Sequence, residues 1–466
     1  MKSSISKICA VTLATLLLFT LAGCSEQNRP TPQNPVTLTI WHTYVEGMRD
    51  SFDALVNEFN RTVGAKNGIT IKVTAIANAP VINENLVAAA NKDPGAPALP
   101  DMAVVYPNVA ITLAENGVLA DLDTQFSPQE LAAFVPQFLD EGRLNGQALY
   151  LLPIAKSTEV LYVNRTMFDR FAAATGVSID QLATFEGIEN AADQYYQWTD
   201  AQTPAIPNDG KLFYYPDNLF NYSMTGFQQL GGDIVKQQKL NLADPIFQRI
   251  WDSYFIPAVK GNTAIFNDYG NYLAITGEVV CYTSTSAGAS FCPDSVTYPD
   301  NTKEDVTFDV LPYPVFKGGN KVVIQRGGGI CVIKSSPVKE YAAGMFLKWF
   351  TAPDQNMRFT AATGYMPVTE TAFQNVMAKK FPAIKNDIVR KTLLTTADMH
   401  EHYRFYYPPV FDGLDQLQAD YIKRLQKTVQ DAKDGYDKLP AQQQSVPALA
   451  NLSAAARQNF LNGYRQ

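Results

Sequence analysis

The chain has 466 residues, 46% of them hydrophobic and 18% charged, and a formal net charge of −7. An acidic balance of this kind excludes nucleic acid as a partner, because phosphate binding needs a basic footprint. A chain of this length is too large for one core, so two lobes are expected.

The N-terminus sets the address. Lys2 and Lys7 form a basic start, and residues 8–21 are an uncharged apolar run. That run is short for a spanning helix, which takes about 20 apolar residues, so it reads as a secretory signal rather than a membrane span. It ends in Leu21-Ala22-Gly23-Cys24, which resembles the bacterial lipobox. The resemblance implies cleavage before Cys24, with the lipid on that residue, and residues 1–23 are set aside as signal peptide. Removing Lys2 and Lys7 takes the formal charge from −7 to −9. Residues 24–35 are polar and proline-rich, too poor in apolar side chains to form a core, and read as a lipidated tether.

The folded body begins near Val36. Residues 36–41 alternate and are rich in β-branched side chains, which predicts a strand. Phe52, Leu55, Val56 and Phe59 then fall at helical spacing. Strands are predicted over 69–73 and 101–106, with helices over 81–90 and 111–115 between and after them. This alternation predicts a mostly parallel sheet with helices on both faces, and ligands gather at the carboxyl ends of strands in such sheets. Residues 157–300 are richer in aromatic and helical segments. Strand patterns return at 306–311 and 322–333. Ser336 is a predicted N-cap, with Pro337 at the first helical position of an amphipathic helix that carries Tyr341, Phe346 and Trp349. Leu414, Leu417, Tyr421 and Leu425 form one stripe of a C-terminal helix. There is no internal repeat.

Cysteine usage is sparse. Cys9 leaves with the signal, and Cys24 is the lipid site. In an exported protein Cys281 and Cys292 are close enough in sequence to be bridged, and that disulfide is the favoured pairing. Cys331 sits in the apolar run Ile330-Cys331-Val332-Ile333 and reads as a buried core thiol. Three thiols without a matching histidine cluster predict no zinc site. His400-Glu401-His402 reads as a solvated loop, so neither a metal nor any other cofactor is expected. No Gly-x-Ser-x-Gly elbow or His-Glu-x-x-His helix is present, and no carboxylate pair forms a recognisable catalytic constellation, which argues against an exported enzyme.

Five blocks carry a resemblance to a known family. They are Leu38-Thr39-Ile40-Trp41-His42-Thr43 with Glu58-Phe59-Asn60; Leu99-Pro100-Asp101-Met102; Glu159-Val160-Leu161-Tyr162-Val163-Asn164-Arg165 through Phe168; Gly327-Gly328-Gly329-Ile330 through Pro337; and Thr363-Gly364-Tyr365-Met366-Pro367-Val368. In this order the chain resembles the extracellular solute-binding proteins of ABC importers, family 1, which include sugar binders and the glycerol-3-phosphate binder. The resemblance implies an α/β, two-lobed periplasmic-binding-protein fold (type II-like) with a hinge and an interlobe ligand cleft. The first lobe would hold 36–152 plus 306–360, and the second 153–305 plus 361–466. It implies a monomer that binds a small carbohydrate, delivers it to ABC permease subunits and meets the membrane through the lipid on Cys24, without enzymatic activity.

Sugar capture needs planar polar groups for hydroxyls and aromatic faces for the apolar side of the ring. Each hydrogen bond contributes about 0.5–1.5 kcal/mol net, so micromolar affinity needs several together with stacking. The resemblance places His42, Thr43 and Tyr44 after the first strand and Tyr106 and Asn108 after the third. It places Ser157, Thr158 and Glu159 at a crossover loop, and Asp217, Phe220 and Tyr222 at an aromatic platform. It assigns Ser284 and Ser286 to a small-residue turn. Gly328 and Gly329 would allow close backbone approach with donating amides, and Tyr365 comes from the Thr-Gly-Tyr block. Where the glycerol-3-phosphate binder shows a pocket arginine, this chain has residues 405–411 with Tyr407 and no Arg, which favours a neutral sugar. Glycerol-3-phosphate or another phosphorylated polyol is the alternative, with Arg326 or Arg404 as the substitute cation.

Overall fold

The structure is a computed structural model that describes residues 29–464 except 145, 147, 381–383, 412 and 441–442. The expected signal peptide and Cys24 lie outside the described residues. The chain divides into two compact units. The first holds residues up to Ile154 with Gly328–Phe359 and Val368–Glu370, and the second holds Ala155–Gly327, Thr360–Pro367 and the segment from Thr371 onward.

The first unit is built on a five-stranded sheet. Val36–His42 (β1), Ile69–Ala75 (β2), Met102–Val105 (β3) and Leu152–Pro153 (β4) are joined by the later strand Gly329–Val332. The order is β2-β1-β3, then Gly329–Val332, then β4. The β1–β2 and β1–β3 pairs are parallel, as the alternation of strands and helices predicts, with Val36 opposite Ile69 and Ile40 opposite Met102. Gly329–Val332 returns from the second unit and runs antiparallel to both of its neighbours, which corrects the mostly parallel expectation. Its glycines are fixed by this packing. A Cβ on Gly328 would meet the Val105 carbonyl oxygen at 2.2 Å, and one on Gly329 would meet that of Leu152 at 2.5 Å.

Helix Glu46–Phe59 (α1) buries Phe52, Leu55, Val56 and Phe59. These meet helix Pro337–Thr351, where Phe52 lies 5.5 Å from Phe350 and Phe59 lies 5.2 Å from Phe346. Ser336 caps that helix as its sequence predicts, accepting a bond from the Lys339 amide. The tether expected across 24–35 is shorter in the fold. Pro30 is buried, Thr31 bridges Asn34, and a Cβ on Gly68 would meet the Thr31 carbonyl oxygen at 2.0 Å.

His42 closes β1 and is fully buried. Its Nδ1 accepts the Tyr44 amide at 3.0 Å, and its ring packs on Tyr44 and Phe52 at 5.2 and 5.1 Å. Its position corrects the ligand-contact expectation, because period-two alternation along β1 turns His42 inward with Leu38 and Ile40. Burial, with Arg49 nearby, pushes its pKa down to about 4.

The second unit carries Glu159–Asn164 (β5), Tyr214–Pro216 (β6), Cys281–Thr285 (β7) and Phe308–Leu311 (β8) in the order β8-β5-β7-β6. Residues 306–327, expected in the first lobe, fall in this unit because β8 pairs antiparallel with β5, Phe308 opposite Asn164. The predicted strand over 322–333 divides into Val322–Ile324 and Gly329–Val332, which belong to different units. Helices pack around the sheet. Leu219–Gln229 (α2) is buried along nearly its whole length, and Leu414–Tyr436 (α3) buries Tyr421, Leu425 and Val429. Lys156 is buried, donating Nζ to the Gly327 carbonyl at 2.6 Å while its backbone pairs with Met366.

The expected disulfide does not form: Cys281, Cys292 and Cys331 are all free thiols. Adjacent strand residues face opposite sides of a sheet. Cys281 contacts the Phe213 carbonyl, whereas Cys292 meets the hydroxyl of Tyr282, the very next residue, so the two sulfurs lie on opposite faces. Cys331 is a buried core thiol, as its apolar run predicts.

Peptide mapping of the unreduced protein is expected to find Cys281, Cys292 and Cys331 each alkylated after unfolding, and a crosslinked Cys281–Cys292 peptide would overturn this. The histidine gives a pH dependence. The unfolded chain takes up a proton on His42 as pH falls below about 6.5, while the folded protein resists until about pH 4, so stability is lost as pH falls through that window. The loss is at most roughly 3 kcal/mol. Unfolding free energies at pH 7 and pH 5 are expected to differ less in His42→Gln than in the parent.

Candidate ligand-binding site

In the second unit, sheet pairing gathers polar groups at one edge. β5 runs antiparallel to β7 with Glu159 opposite Thr285, and β6 runs parallel to β7 with Pro216 opposite Thr283. The start of β5 therefore lies beside the ends of β6 and β7. Ser157, Thr158, Glu159, Asp217, Ser284 and Ser286 come together there although far apart in sequence.

Glu159 is buried, and its Oε1 accepts from Asn221 Nδ2 at 2.7 Å and from Arg326 Nη1 at 3.3 Å. Burial raises its pKa, while the Arg326 charge and the Asn221 bond pull it back without cancelling the rise. Arg326 is set in place by its backbone, which exchanges bonds with Ser157 at 2.7 and 2.9 Å. Its guanidinium is one-third exposed. Asp217 follows β6 and accepts from Ser284 Oγ at 2.6 Å and from the Gly270 amide at 2.7 Å. Burial also raises the pKa of this carboxyl, against the pull of those two donors. Ser286 Oγ accepts the Thr158 amide, and Thr158 Oγ1 donates to the Ile324 carbonyl at 2.7 Å.

Two of the expected aromatics lie next in sequence to residues whose backbones pair beside this edge. Tyr365 is half-buried and precedes Met366, whose backbone pairs with Lys156. Gly364 beside it packs on the Ser286 carbonyl. Tyr407 is 40% exposed and follows the strand Arg404–Tyr406, whose last carbonyl accepts the Gln325 amide. Arg404 instead turns to Gln228 on the surface.

Phe220 and Tyr222 correct the platform expectation. Both lie on the buried α2, where Phe220 packs on Tyr421 and Tyr222 on Phe185, Tyr254 and Phe316. The open aromatic faces are elsewhere. Tyr269 is 64% exposed and Tyr272 50%, with ring centroids 6.4 Å apart. They flank Gly270, whose amide holds Asp217, and a Cβ at Gly270 would meet the Tyr282 ring at 2.6 Å. The signal for these tyrosines in the sequence is the Tyr-Gly-Asn-Tyr spacing, which only the Gly270–Asp217 bond ties to the polar edge.

In the first unit, Tyr106 and Asn108 lie after β3, with Tyr106 47% exposed, and Thr43 and half-buried Tyr44 follow β1. The Tyr44 ring packs on Phe52 and Phe359. Gly328 and Gly329 serve strand packing, with Gly329 flanked by Val105 and Pro153. His400 and His402 lie in the last turn of helix Asp387–His402 rather than on a loop, and His400 stacks on Phe373 at 4.1 Å. Among the described residues no His, Cys, Asp and Glu cluster is placed to hold a metal ion.

Residues 54–386 match the sequence pattern of the bacterial extracellular solute-binding proteins. No curated protein matches the chain. Among solved structures, the chain is similar to the cyclic alpha-maltosyl-1,6-maltose binding protein from Arthrobacter globiformis, with a TM-score of 0.66 and 17% identity over 92% of this chain and 100% of that one. It is similar to UgpB from Mycobacterium tuberculosis in complex with glycerophosphocholine, with a TM-score of 0.65 and 18% identity over 92% and 99%. It is also similar to the ABC substrate-binding protein Lmo0181 from Listeria monocytogenes in complex with cycloalternan, with a TM-score of 0.61 and 18% identity over 92% and 99%. At these identities the likeness is one of fold, the α/β fold of two-lobed binding proteins expected from the five sequence blocks. With the family pattern running through well over half of its length, the chain belongs to the bacterial extracellular solute-binding proteins.

Proposed function

We propose that this protein is the substrate-capturing component of an ABC importer, held outside the cytoplasm by a lipid on Cys24, and that it binds a small carbohydrate without converting it. The observation that carries the reading is the polar edge of the second unit, where Glu159, Asp217 and Ser284 are fixed and where Gly270, whose amide holds Asp217, sits in sequence between the exposed Tyr269 and Tyr272. Carboxylates accept from sugar hydroxyls, and an open tyrosine face covers the apolar side of a pyranose ring. Relatives of the same fold that bind cyclic alpha-maltosyl-1,6-maltose and cycloalternan support the same class of ligand.

A phosphorylated ligand is the second reading, since a relative of like fold is in complex with glycerophosphocholine. The local charge weighs against it. Two carboxylates stand at the edge with one guanidinium, and Arg326 is already engaged by Glu159. A phosphate would meet repulsion there instead of the arginine clamp it favours.

A thermal-shift screen is expected to show a rise in Tm with neutral mono- or oligosaccharides and none with sugar phosphates. The sugar should be recovered unchanged, and turnover would overturn the non-enzyme reading. Affinity for the neutral sugar is expected to stay constant between low and high salt, where a phosphate ligand would weaken by screening. Because Tyr269 is mostly exposed, Tyr269→Ala is expected to leave Tm unchanged. It should weaken sugar binding by about 2- to 10-fold, the equivalent of one lost stacking contact. Unchanged affinity in calorimetry would remove Tyr269 from the site.

A further inference from the structure

The N-terminal segment docks on one end of the first unit. Resting on the lipid-anchor reading above, we propose that the edge of this unit at the starts of β1 and β2 is a membrane-facing surface. On this assignment the opposite edge, with Tyr44, Tyr106 and Asn108, is turned away from the bilayer.

Three observations lead there. Pro30 is buried and Thr31 lies against Gly68, so the chain is bound to the body from residue 30 onward. The Val36 amide donates to the Gly68 carbonyl at 2.8 Å, and β1 and β2 begin together with Val36 opposite Ile69. The docked segment is therefore at the strand-start edge. From Cys24 to Pro30 there are only six steps, whose fully extended reach is roughly 20 Å. A unit of this size is about 40 Å across. With its far end against the bilayer, Pro30 would stand about twice as far from the lipid as the chain can reach.

The surface chemistry at that edge suits lipid headgroups. Arg29 is exposed, with its guanidinium over the Tyr341 ring at 5.4 Å, and Lys66 is exposed two residues before Gly68. Cations next to an amphipathic ring fit an interface of anionic phosphates. Along β2 the chain rises about 3.3 Å per residue, so its two ends are separated by roughly 20 Å.

The test uses the full lipidated chain in vesicles of phosphatidylcholine and phosphatidylglycerol that carry an acceptor dye on a lipid headgroup. A donor dye is attached at Lys66→Cys or at Ala77→Cys, both exposed positions before and after β2, in a Cys292→Ser background that leaves Cys281 and Cys331 buried. Energy transfer is expected to be at least twofold higher from position 66 than from position 77. Vesicle flotation with equal or reversed transfer would overturn the orientation and leave the anchor standing. Failure of the parent to float, or flotation of Cys24→Ser as well, would overturn the anchor and this orientation with it.

Discussion

A carboxylate taken out of water must be answered by donors or it loses its charge, and Glu159 imposes that demand on the second unit. It opens β5 and is buried. Its partners come from two directions: Asn221 on the first turn of α2, and Arg326 on the segment that leads to the crossing at Gly328. Asn218 caps α2 by accepting the Asn221 amide, so the helix start and the carboxylate share one asparagine. Arg326 in turn is held by Ser157 through two backbone bonds. Removing the carboxylate would loosen a helix start and a crossing segment together, because the same atoms hold both.

The same edge is a set of polar groups held in place before any ligand arrives. Each polar group is tied to a backbone or side-chain partner: Asp217 to Ser284 and Gly270, Thr158 to Ile324, Ser286 to Thr158. Such tying reduces the entropy lost when a ligand is bound, which is the general advantage of a preorganised site. Burial raises the pKa of both Glu159 and Asp217, and the edge holds these two carboxyls beside a single guanidinium that Glu159 already engages. That balance suits hydroxyl donors better than anions.

Several expectations about the site follow the chain correctly to a place but not to a direction. The stretch from Asp217 to Tyr222 does reach the polar edge, yet of its three expected residues only Asp217 is presented there, because α2 turns Phe220 and Tyr222 into the aromatic core while Asn221 between them donates to Glu159. His42 ends a strand at the predicted position, but strand alternation points its ring inward against Phe52. Cys281 and Cys292 are near in sequence but on opposite faces of one sheet. In each case the spacing along the chain locates the backbone, and the handedness of the element decides where the side chain goes.

By itself the sequence determined the elements that depend on local pattern. These include the opening strands, the amphipathic helix capped by Ser336 and Pro337, the core character of Cys331, and the ordered blocks that mark the solute-binding family. Only the tertiary structure decided that residues 306–327 belong with β5, that Gly328 and Gly329 are strand-packing residues, and that Gly270, between the exposed Tyr269 and Tyr272, holds Asp217. The physical reason is separation. Glu159 and Arg326 are 167 residues apart and meet because the segments beside two chain crossings, after Ile154 and after Gly327, pair through Ser157 and Arg326. No periodicity along the chain encodes which distant backbone a strand edge will accept.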